Sequence, residues 1–268
     1  MMSDLEKFQE RSNLLQPFAM SRSRGWSYVL GWTHRITGLF LLFYLLLHIN
    51  TLSTLTEPEV FTARMAVLSG PFFSAMEWLL AVPVIVHSLN GGRLLVYELF
   101  TTDYDDLLRS WVGIISVVYL LLLGYFMYLG DQSASPMFFW FSAMAIGLIL
   151  SYTCARRLLR TRGSIFWKMQ RLSGALLFVL VPAHMLFMHL NHSVGRDVQV
   201  ITARLSQSPI AVIDGILLIL VLYHGGYGLV GIMKDYFTDR RIINTVSWIA
   251  LLILVMFGLQ GVALLSSF

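Results

Sequence analysis

Charged residues are scarce in this 268-residue chain: Asp, Glu, Lys and Arg together make up 13%, whereas hydrophobic residues make up 57%. A soluble globular domain carries about 25% charged residues, so the composition excludes an ordinary soluble protein. Cysteine occurs once, at Cys154. This excludes an intrachain disulfide, and also an iron–sulfur cluster or Cys-rich zinc site built from this chain alone. Basic residues do not form a patch interleaved with aromatics, so no nucleic-acid partner is expected.

The N-terminal 25 residues are polar and lack the short apolar core of a cleavable signal peptide. Apolar runs of roughly 20 residues, long enough for a helix to cross a bilayer, occur seven times instead. They cover residues 28–50, 73–99, 110–130, 137–156, 171–191, 209–235 and 243–267. The sequence therefore predicts an all-α integral membrane protein with seven transmembrane helices.

The basic residues predict how these helices are oriented. If the N-terminus is cytoplasmic, 16 of the 19 Lys and Arg residues fall on the inner side, and only Arg64, Arg196 and Arg204 fall outside. An excess of Lys and Arg in cytoplasmic segments is the rule for multi-pass proteins. We expect a protein of the cytoplasmic membrane of a prokaryote, with its N-terminus inside and its C-terminus outside.

A pattern of polar residues occurs twice, with an offset of 136 or 137 residues. Each copy has an arginine followed after 13 residues by a histidine, then a second histidine with a glycine at plus 4 and an acid at plus 11. The copies are Arg35, His48, His87, Gly91 and Glu98, and Arg171, His184, His224, Gly228 and Asp235. Because the fourth span restores the chain direction, both copies run parallel. We predict two parallel three-helix repeats, 28–130 and 171–268, with a cytoplasmic segment 1–27 before them. Segment 131–170, a linking transmembrane helix and a basic cytoplasmic loop, joins them.

The four repeated histidines are candidate axial ligands of two b-type haems. A histidine inside an apolar span is costly unless it has a partner or a function, and two imidazoles from facing helices hold a haem iron. His87 and His224, the inner pair, lie nearer the inner face. His48 and His184, the outer pair, lie deeper, since 13 helical residues separate His48 from Arg35 by about 20 Å.

Other interpretations of these residues stay open. A membrane histidine can instead hydrogen-bond a neighbouring helix carbonyl, and His189, which ends the fifth span near His192, competes with His184 as a ligand. Nearby glycines equally serve close helix packing. Glu77 and Asp214 each precede an inner-pair histidine by ten residues; they are candidates for a proton path, or simply interfacial residues.

Three motifs resemble the membrane anchor of succinate:quinone oxidoreductases and quinol:fumarate reductases (complex II). They are His34-Arg35-Ile36-Thr37-Gly38, the set His87, Gly91, Arg93 and Glu98, and the set His224, Gly228, Asp235 and Tyr236. The first two are similar to the cytochrome b subunit, with glutamate replacing the usual aspartate, and the third to the smaller anchor subunit. The chain thus resembles a fusion of both anchors.

The resemblance implies the function of a membrane subunit with two haem b groups and a quinone as substrate. Arg35, Tyr236, His34 and Asp235 become candidates for the quinone site, and Arg93 and Arg171 for contacts to haem propionates. An iron–sulfur subunit and a flavoprotein subunit on the cytoplasmic face are the implied partners, and they carry the dicarboxylate and flavin sites. The family often has a serine where this chain has Gly31, so a quinone contact is either lost or moved, with Thr33, Trp32 and Ser27 as candidate replacements.

Three further functions compete with this interpretation. A two-haem anchor of a hydrogenase, formate dehydrogenase or nitrate reductase shares intramembrane histidines but not this parallel repeat. A transporter with internal repeats is expected to have broken helices, whereas Pro83 and Pro182 are the only prolines deep in spans. If the chain is a haem-free structural anchor, the matched spacing of the histidines in the two copies has no function. The direction of catalysis and the quinone type stay open.

Overall fold

The computed structural model describes residues 25–100, 104–129, 135–189 and 195–268. Most of the predicted cytoplasmic segment, and His192, lie outside these residues. The described residues form helices and no strand. In chain order the α-helices are α1 Trp26–Leu52, α2 Pro58–Leu68, α3 Pro71–Phe100, α4 Asp105–Leu129, α5 Pro136–Leu158, α6 Ile165–His189, α7 Val198–Leu205, α8 Ser208–Tyr236 and α9 Arg240–Leu265, with a 3₁₀ turn at Ser53–Thr56.

Seven of these helices are long and apolar enough to cross a membrane, which confirms the predicted spans. They are α1, α3, α4, α5, α6, α8 and α9. A spanning segment must satisfy its backbone polar groups internally because lipid offers no hydrogen bonds, so uninterrupted apolar runs of this length fold as helices. Pro83 and Pro182 lie inside α3 and α6, and both helices continue past them.

Two short helices, α2 and α7, were not among the predicted elements. Each follows the first long helix of a repeat and precedes the second, so the order long, short, long, long occurs twice, as α1–α4 and as α6–α9, with α5 between. They are too short to span, which is why a search for apolar runs misses them. The carboxylate of Asp197 begins α7 by accepting hydrogen bonds from the backbone N–H groups of Gln199 and Val200.

Four long helices form a ring around a common axis. Neighbouring helices in the ring are in contact in the order α1, α3, α6, α8 and back to α1. The remaining long helices pack outside this ring: α4 against α3, α5 against α6, and α9 against α8 and α1. Helices α1 and α6 therefore face each other across one diagonal, and α3 and α8 across the other. The repeated histidines lie on these four helices.

Each end of the ring contains ion pairs. The basic end, named for the excess of Lys and Arg that the sequence predicts on that side, contains the pairs Arg35–Asp235 and Arg171–Glu98. The distal end contains the pairs Arg196–Glu77 and Arg204–Asp214. At the distal end, α2 contacts α7. A cluster of buried apolar side chains joins both short helices to α9 and to the 3₁₀ turn: Leu55, Phe61, Ile201, Leu205 and Leu264. The repeats thus share one apolar cap.

Candidate haem and quinone sites

The inner pair spans one diagonal of the ring. His87 on α3 faces His224 on α8, and their ring centroids lie 6.3 Å apart with the ring planes at 86°. The outer pair spans the other diagonal: His48 on α1 and His184 on α6 have centroids 6.1 Å apart at 89°. The structure therefore brings together the same two pairs that the repeat indicates.

Hydrogen bonds from α1 hold the imidazole of His87. Its Nδ1 atom lies 3.1 Å from the carbonyl oxygen of His34 and 3.2 Å from Oγ1 of Thr37. The Thr37 hydroxyl already donates its proton to the carbonyl oxygen of Thr33, at 2.7 Å. A carbonyl only accepts, and this hydroxyl has no second proton to give. His87 therefore carries its proton on Nδ1 and keeps a lone pair on Nε2.

The second repeat holds His224 in the same way. Its Nδ1 atom lies 3.3 Å from Oγ of Ser173, and that hydroxyl donates to the carbonyl oxygen of Gln170, at 2.9 Å. The Gln170 side chain in turn donates from Nε2 to the backbone carbonyl of His224, at 3.2 Å. His224 is thus also fixed with its proton on Nδ1.

These contacts leave both Nε2 atoms of the inner pair available as ligands. A histidine that binds a metal through one nitrogen donates its other N–H to a fixed acceptor, which sets the ring orientation and raises its basicity. Sequence reasoning missed Thr37, Ser173 and Gln170 as functional residues. The signal was present, because Thr37 and Ser173 are 136 residues apart, as are Arg35 and Arg171.

Two glycines let α1 and α6 approach the inner pair. A Cβ atom at Gly38 would lie 2.9 Å from Cε1 of His87, and one at Gly174 would lie 3.2 Å from Cε1 of His224. Such distances are shorter than ordinary van der Waals contact. Gly38 and Gly174 each precede an outer-pair histidine by ten residues in the chain, but the structure places both glycines against the inner pair.

His34 lies beside the inner pair. Its ring stacks on that of His87, with centroids 3.9 Å apart and planes 7° apart. A Cβ atom at Gly91 would lie 3.3 Å from Cε1 of His34, so this glycine makes room for the stack. Among the described residues, Nδ1 of His34 is buried without a hydrogen-bond partner. The structure therefore places the ring of His34 against the inner pair.

The outer pair is part of a cluster of three histidines. The ring centroid of His189 lies 5.7 Å from that of His184 and 6.5 Å from that of His48. His189 is held through Nδ1 by the carboxylate of Glu77, whereas Nδ1 of His184 is buried and has no hydrogen-bond partner among the described residues. The rings of Tyr44 and Trp140 flank His48 and His184 respectively.

Both candidate proton-path carboxylates are ion-paired at the distal end. Glu77 pairs with Arg196, at 2.5 Å, in addition to its contact with His189. Asp214 pairs with Arg204, at 3.4 Å. A cavity of about 320 Å³ adjoins the first of these pairs, between α3, α4 and α6, and its lining includes Glu77, His189, Arg196, Trp78 and Tyr128.

The spacing of both histidine pairs fits a single iron between them. With metal–imidazole bonds of about 2 Å and ring centres about 1 Å beyond the nitrogen, opposite ligands have centroids about 6 Å apart. No group of three or more His, Cys, Asp or Glu in the described parts of the chain is arranged to hold a metal ion. A haem site needs only two side chains, because the macrocycle supplies the other four nitrogens.

Three of the four quinone-site candidates meet at the basic end. Arg35 donates from Nη2 to Oδ2 of Asp235, at 2.7 Å. The next residue, Tyr236, has its ring 5.4 Å from that of Trp32. Trp32, Thr33 and Ser27 are the candidates to replace the serine that the family often has at Gly31. Among the described residues, only Trp32 of these three contacts Tyr236. The Thr33 hydroxyl instead donates to the carbonyl of Val29.

Arg93 and Arg171, the candidates for propionate contacts, both have acidic partners. Arg171 donates two hydrogen bonds to Glu98, at 2.9 and 2.8 Å. Buried Arg93 donates to Asp105 at 2.8 Å and to Asn90 at 2.7 Å, and its Nη2 reaches Ser27 at 3.5 Å. This network joins the starts of α1 and α4 to α3, which gives Arg93 a structural role whatever else it binds.

The fold thus defines a multi-pass helical membrane protein, and comparison with known proteins defines its family. The family model of the succinate dehydrogenase/fumarate reductase transmembrane subunit matches residues 26–122 and 151–259. The chain belongs to this family, and the matched segments fall on either side of the centre of α5. It is also similar to the succinate dehydrogenase 2 membrane subunit SdhC of Mycobacterium tuberculosis, with 32% identity over 99 residues, which cover 37% of this chain and 70% of that relative. No solved structure gives a significant match.

Proposed function

We propose that this chain is the dihaem cytochrome b anchor of a succinate dehydrogenase or fumarate reductase. In this role it transfers electrons between a partner iron–sulfur subunit and a membrane quinone. The observation that carries the proposal is the presence of two histidine pairs across the two diagonals of one helix ring, with centroids 6.3 and 6.1 Å apart. A bound b-type haem supplies reversible one-electron redox chemistry.

The two pairs lie at different depths of the ring. His87 contacts α1 at residues 34–38, whereas His48 lies at least ten residues further along the same helix, which is about 15 Å or more along its axis. His87 and His224 would hold the haem nearer the basic end, and His48 and His184 the haem nearer the distal end. One chain would thereby hold two redox centres in line along the bundle.

The quinone site is proposed at the basic end, at Arg35, Asp235, Tyr236 and Trp32. The phenol of Tyr236 and the guanidinium of Arg35 are hydrogen-bond donors for the carbonyl oxygens of a quinone ring, and Trp32 offers an apolar surface. Asp235 orients Arg35 through their ion pair. The basic end is proposed to face the cytoplasm, where the iron–sulfur and flavoprotein subunits dock, in the inner membrane of a prokaryote.

Glu77 is the proposed proton-transfer group at the distal end. Its carboxylate contacts His189, whose ring lies beside both members of the outer pair, and it borders the distal cavity. Asp214 has no comparable contact with a histidine among the described residues, and its ion pair with Arg204 suits a structural role. Quinone turnover that is unchanged in a Glu77→Gln variant would contradict the proton role.

Haem content is the direct test of the proposed function. The complete complex would be purified, and haem b would be counted per copy of this chain by a pyridine haemochrome assay together with reduced-minus-oxidised spectra. The expected count is two. A count of one would contradict the dihaem assignment, and a count of zero would contradict the cytochrome function as a whole.

Histidine variants then assign the ligands. His87→Gln and His224→Gln are each expected to remove the same haem, and His48→Gln and His184→Gln the other. His189→Gln tests the rival ligand, because the contact of His189 Nδ1 with Glu77 leaves its Nε2 available to a metal. If His184 is the ligand, His189→Gln is expected to keep both haems. Retention of both haems in His184→Gln, together with loss of one in His189→Gln, would transfer the ligand role to His189.

A further inference from the structure

Buried hydrogen-bond donors without acceptors surround the outer pair. Arg204 on α7 is 8% exposed, and within the described residues its Nε and Nη1 atoms have no hydrogen-bond partner. Trp140 on α5 is fully buried, and its indole Nε1 also has no partner there. Leaving such groups unpaired in a low-dielectric interior is unfavourable, and more so for a charged group.

Both residues lie in the half of the bundle that holds the outer pair. The ring of Trp140 lies 6.2 Å from that of His184. Nη1 of Arg204 lies 3.4 Å from Asp214 on α8, the helix that packs against the α6 helix of His184. A guanidinium and an indole N–H can only donate. The group that would satisfy them must therefore present acceptor oxygens, and a negative charge on that group favours its binding beside the buried guanidinium.

Asp214 does not meet this requirement. Its Oδ2 atom lies 3.4 Å from Nη1 of Arg204, but the contact lacks hydrogen-bond geometry. Burial lowers the pKa of Arg204, and the carboxylate of Asp214 acts in the opposite direction. Arg204 is thus a buried guanidinium whose Nε and Nη1 donors make no hydrogen bond to its acidic neighbour.

The first repeat has an arginine at the corresponding place but not in the same environment. Arg64 is the seventh residue of α2, as Arg204 is the seventh of α7. Arg64 is exposed, and its Nη1 lies 3.5 and 3.4 Å from the backbone and side-chain oxygens of Asn50. Burial with donors that lack hydrogen-bond partners thus distinguishes Arg204 from Arg64, although both are the seventh residue of a short helix.

We propose that Arg204 and Trp140 form the carboxylate-binding site for the haem held by the outer pair. The guanidinium and the indole N–H donate hydrogen bonds to its propionate oxygens, and Arg204 balances their charge. This inference rests on the proposed dihaem function and extends it, since the propionate candidates suggested by the sequence, Arg93 and Arg171, are both engaged by acids and Arg171 lies at the basic end.

The test compares Arg204→Gln and Trp140→Phe with Arg64→Gln as a matched control, each in the purified complete complex. Haem per chain and the midpoint potential of each haem are measured by pyridine haemochrome and redox titration. Removing a cation or a donor near the propionates favours the oxidised haem. Arg204→Gln is expected either to lose the outer haem or to lower its midpoint potential by at least about 59 mV, which is a tenfold change in the reduction equilibrium of a one-electron couple. Trp140→Phe should shift it less in the same direction.

Arg204→Lys keeps the charge, and it is expected to retain the outer haem with a potential between those of the wild type and Arg204→Gln. Arg64→Gln should change neither the count nor the potentials. Two haems with unchanged potentials in Arg204→Gln would overturn the inference. If that variant does not accumulate, an unchanged outer potential in both Arg204→Lys and Trp140→Phe would overturn it. One haem per chain in the wild-type complex would contradict the dihaem function itself. Two haems in the wild type with no effect of the Arg204 variants would contradict only the proposed propionate site.

Discussion

The guanidinium of Arg171, on the first helix of the second repeat, binds the carboxylate of Glu98, on the middle helix of the first repeat, through two hydrogen bonds of 2.9 and 2.8 Å. The same relationship occurs in reverse: Arg35 of the first repeat pairs with Asp235 of the second, at 2.7 Å. Each repeat thus supplies an arginine to the acid of the other. These crossed ion pairs join the repeats at the basic end, close to the inner pair.

The crossed pair of Arg171 and Glu98 should stabilise the bundle measurably. Arg171→Gln and Glu98→Gln are each expected to lower the thermal stability of the complex in detergent. The double variant should be about as stable as either single variant, because one substitution already breaks the contact. The side chains are 23% and 35% exposed, so we expect a coupling free energy of about 0.5–1 kcal/mol from a double-mutant cycle. Arg240→Gln, at an exposed position, is the control, and strictly additive losses would contradict the prediction.

The Ser173 hydroxyl, which contacts His224, should affect the midpoint potential of the inner haem more strongly than the Thr37 hydroxyl, which contacts His87. The inner haem is the one proposed between His87 and His224. Ser173→Ala removes the acceptor found for Nδ1 of His224, whereas Thr37→Val leaves the His34 carbonyl as an acceptor for Nδ1 of His87. Losing the acceptor makes the imidazole less basic, which disfavours the oxidised iron. The midpoint potential of the inner haem should therefore rise in Ser173→Ala, with about tenfold weaker haem retention.

In Thr37→Val the midpoint potential of the inner haem should rise less than in Ser173→Ala. Both potentials are measured by redox titration of the purified complex. Thr33→Val is the matched control, because the Thr33 hydroxyl donates within its own helix to Val29. A larger effect for Thr37→Val than for Ser173→Ala, or an effect of Thr33→Val, would argue against control of the potential through Nδ1.

An added methyl group at Gly38 should disturb the inner pair selectively. In Gly38→Ala the new Cβ would lie 2.9 Å from His87, and in Gly174→Ala it would lie 3.2 Å from His224. Overpacking of this kind costs about 1–3 kcal/mol, and the cost should appear as loss of the inner haem, with the greater loss in Gly38→Ala. In Gly113→Ala the Cβ would have no neighbour within 4 Å, so this control should keep full haem content. Loss of the outer haem alone would contradict the assignment of these glycines.

Removal of the Tyr236 hydroxyl should weaken quinone binding without changing haem content. Tyr236→Phe keeps the ring that contacts Trp32 but removes a hydrogen bond to the substrate, which corresponds to roughly a tenfold higher KM for quinone. The measurement is steady-state quinone reduction by the complex, with haem spectra recorded on the same sample. Tyr97→Phe, at an exposed position, is the control. An unchanged KM in Tyr236→Phe would exclude this tyrosine from the site.

Hydropathy predicts the seven spans because a run of about 20 apolar residues has few alternatives to a membrane-spanning helix. The short helices α2 and α7 escape the same reasoning, since neither is long enough to register as a span. Their packing depends on partners distant in the chain: Phe61 of α2 and Ile201 of α7 share a buried cluster with Leu264 of α9. No local pattern identifies such a contact.

The offset between copies similarly indicates which histidines belong to equivalent positions, but not what each one touches. His184 and His189 are separated by five positions on one helix, yet both rings reach the outer cluster, with their centroids 5.7 Å apart. Glu77 engages His189 and not His184, a choice made by the relative rotation of α3 and α6.

By itself, the amino-acid sequence determined that the chain crosses the membrane seven times and that two copies of one polar pattern recur in parallel. These properties follow from local composition and spacing. Only the tertiary structure decided that Thr37 and Ser173 fix the tautomers of His87 and His224, that Gly38 and Gly174 border the inner pair, and that Arg204 is buried while Arg64 is exposed. Contacts between helices depend on how each helix is rotated and packed against its neighbours, and residues far apart in the chain set that packing together.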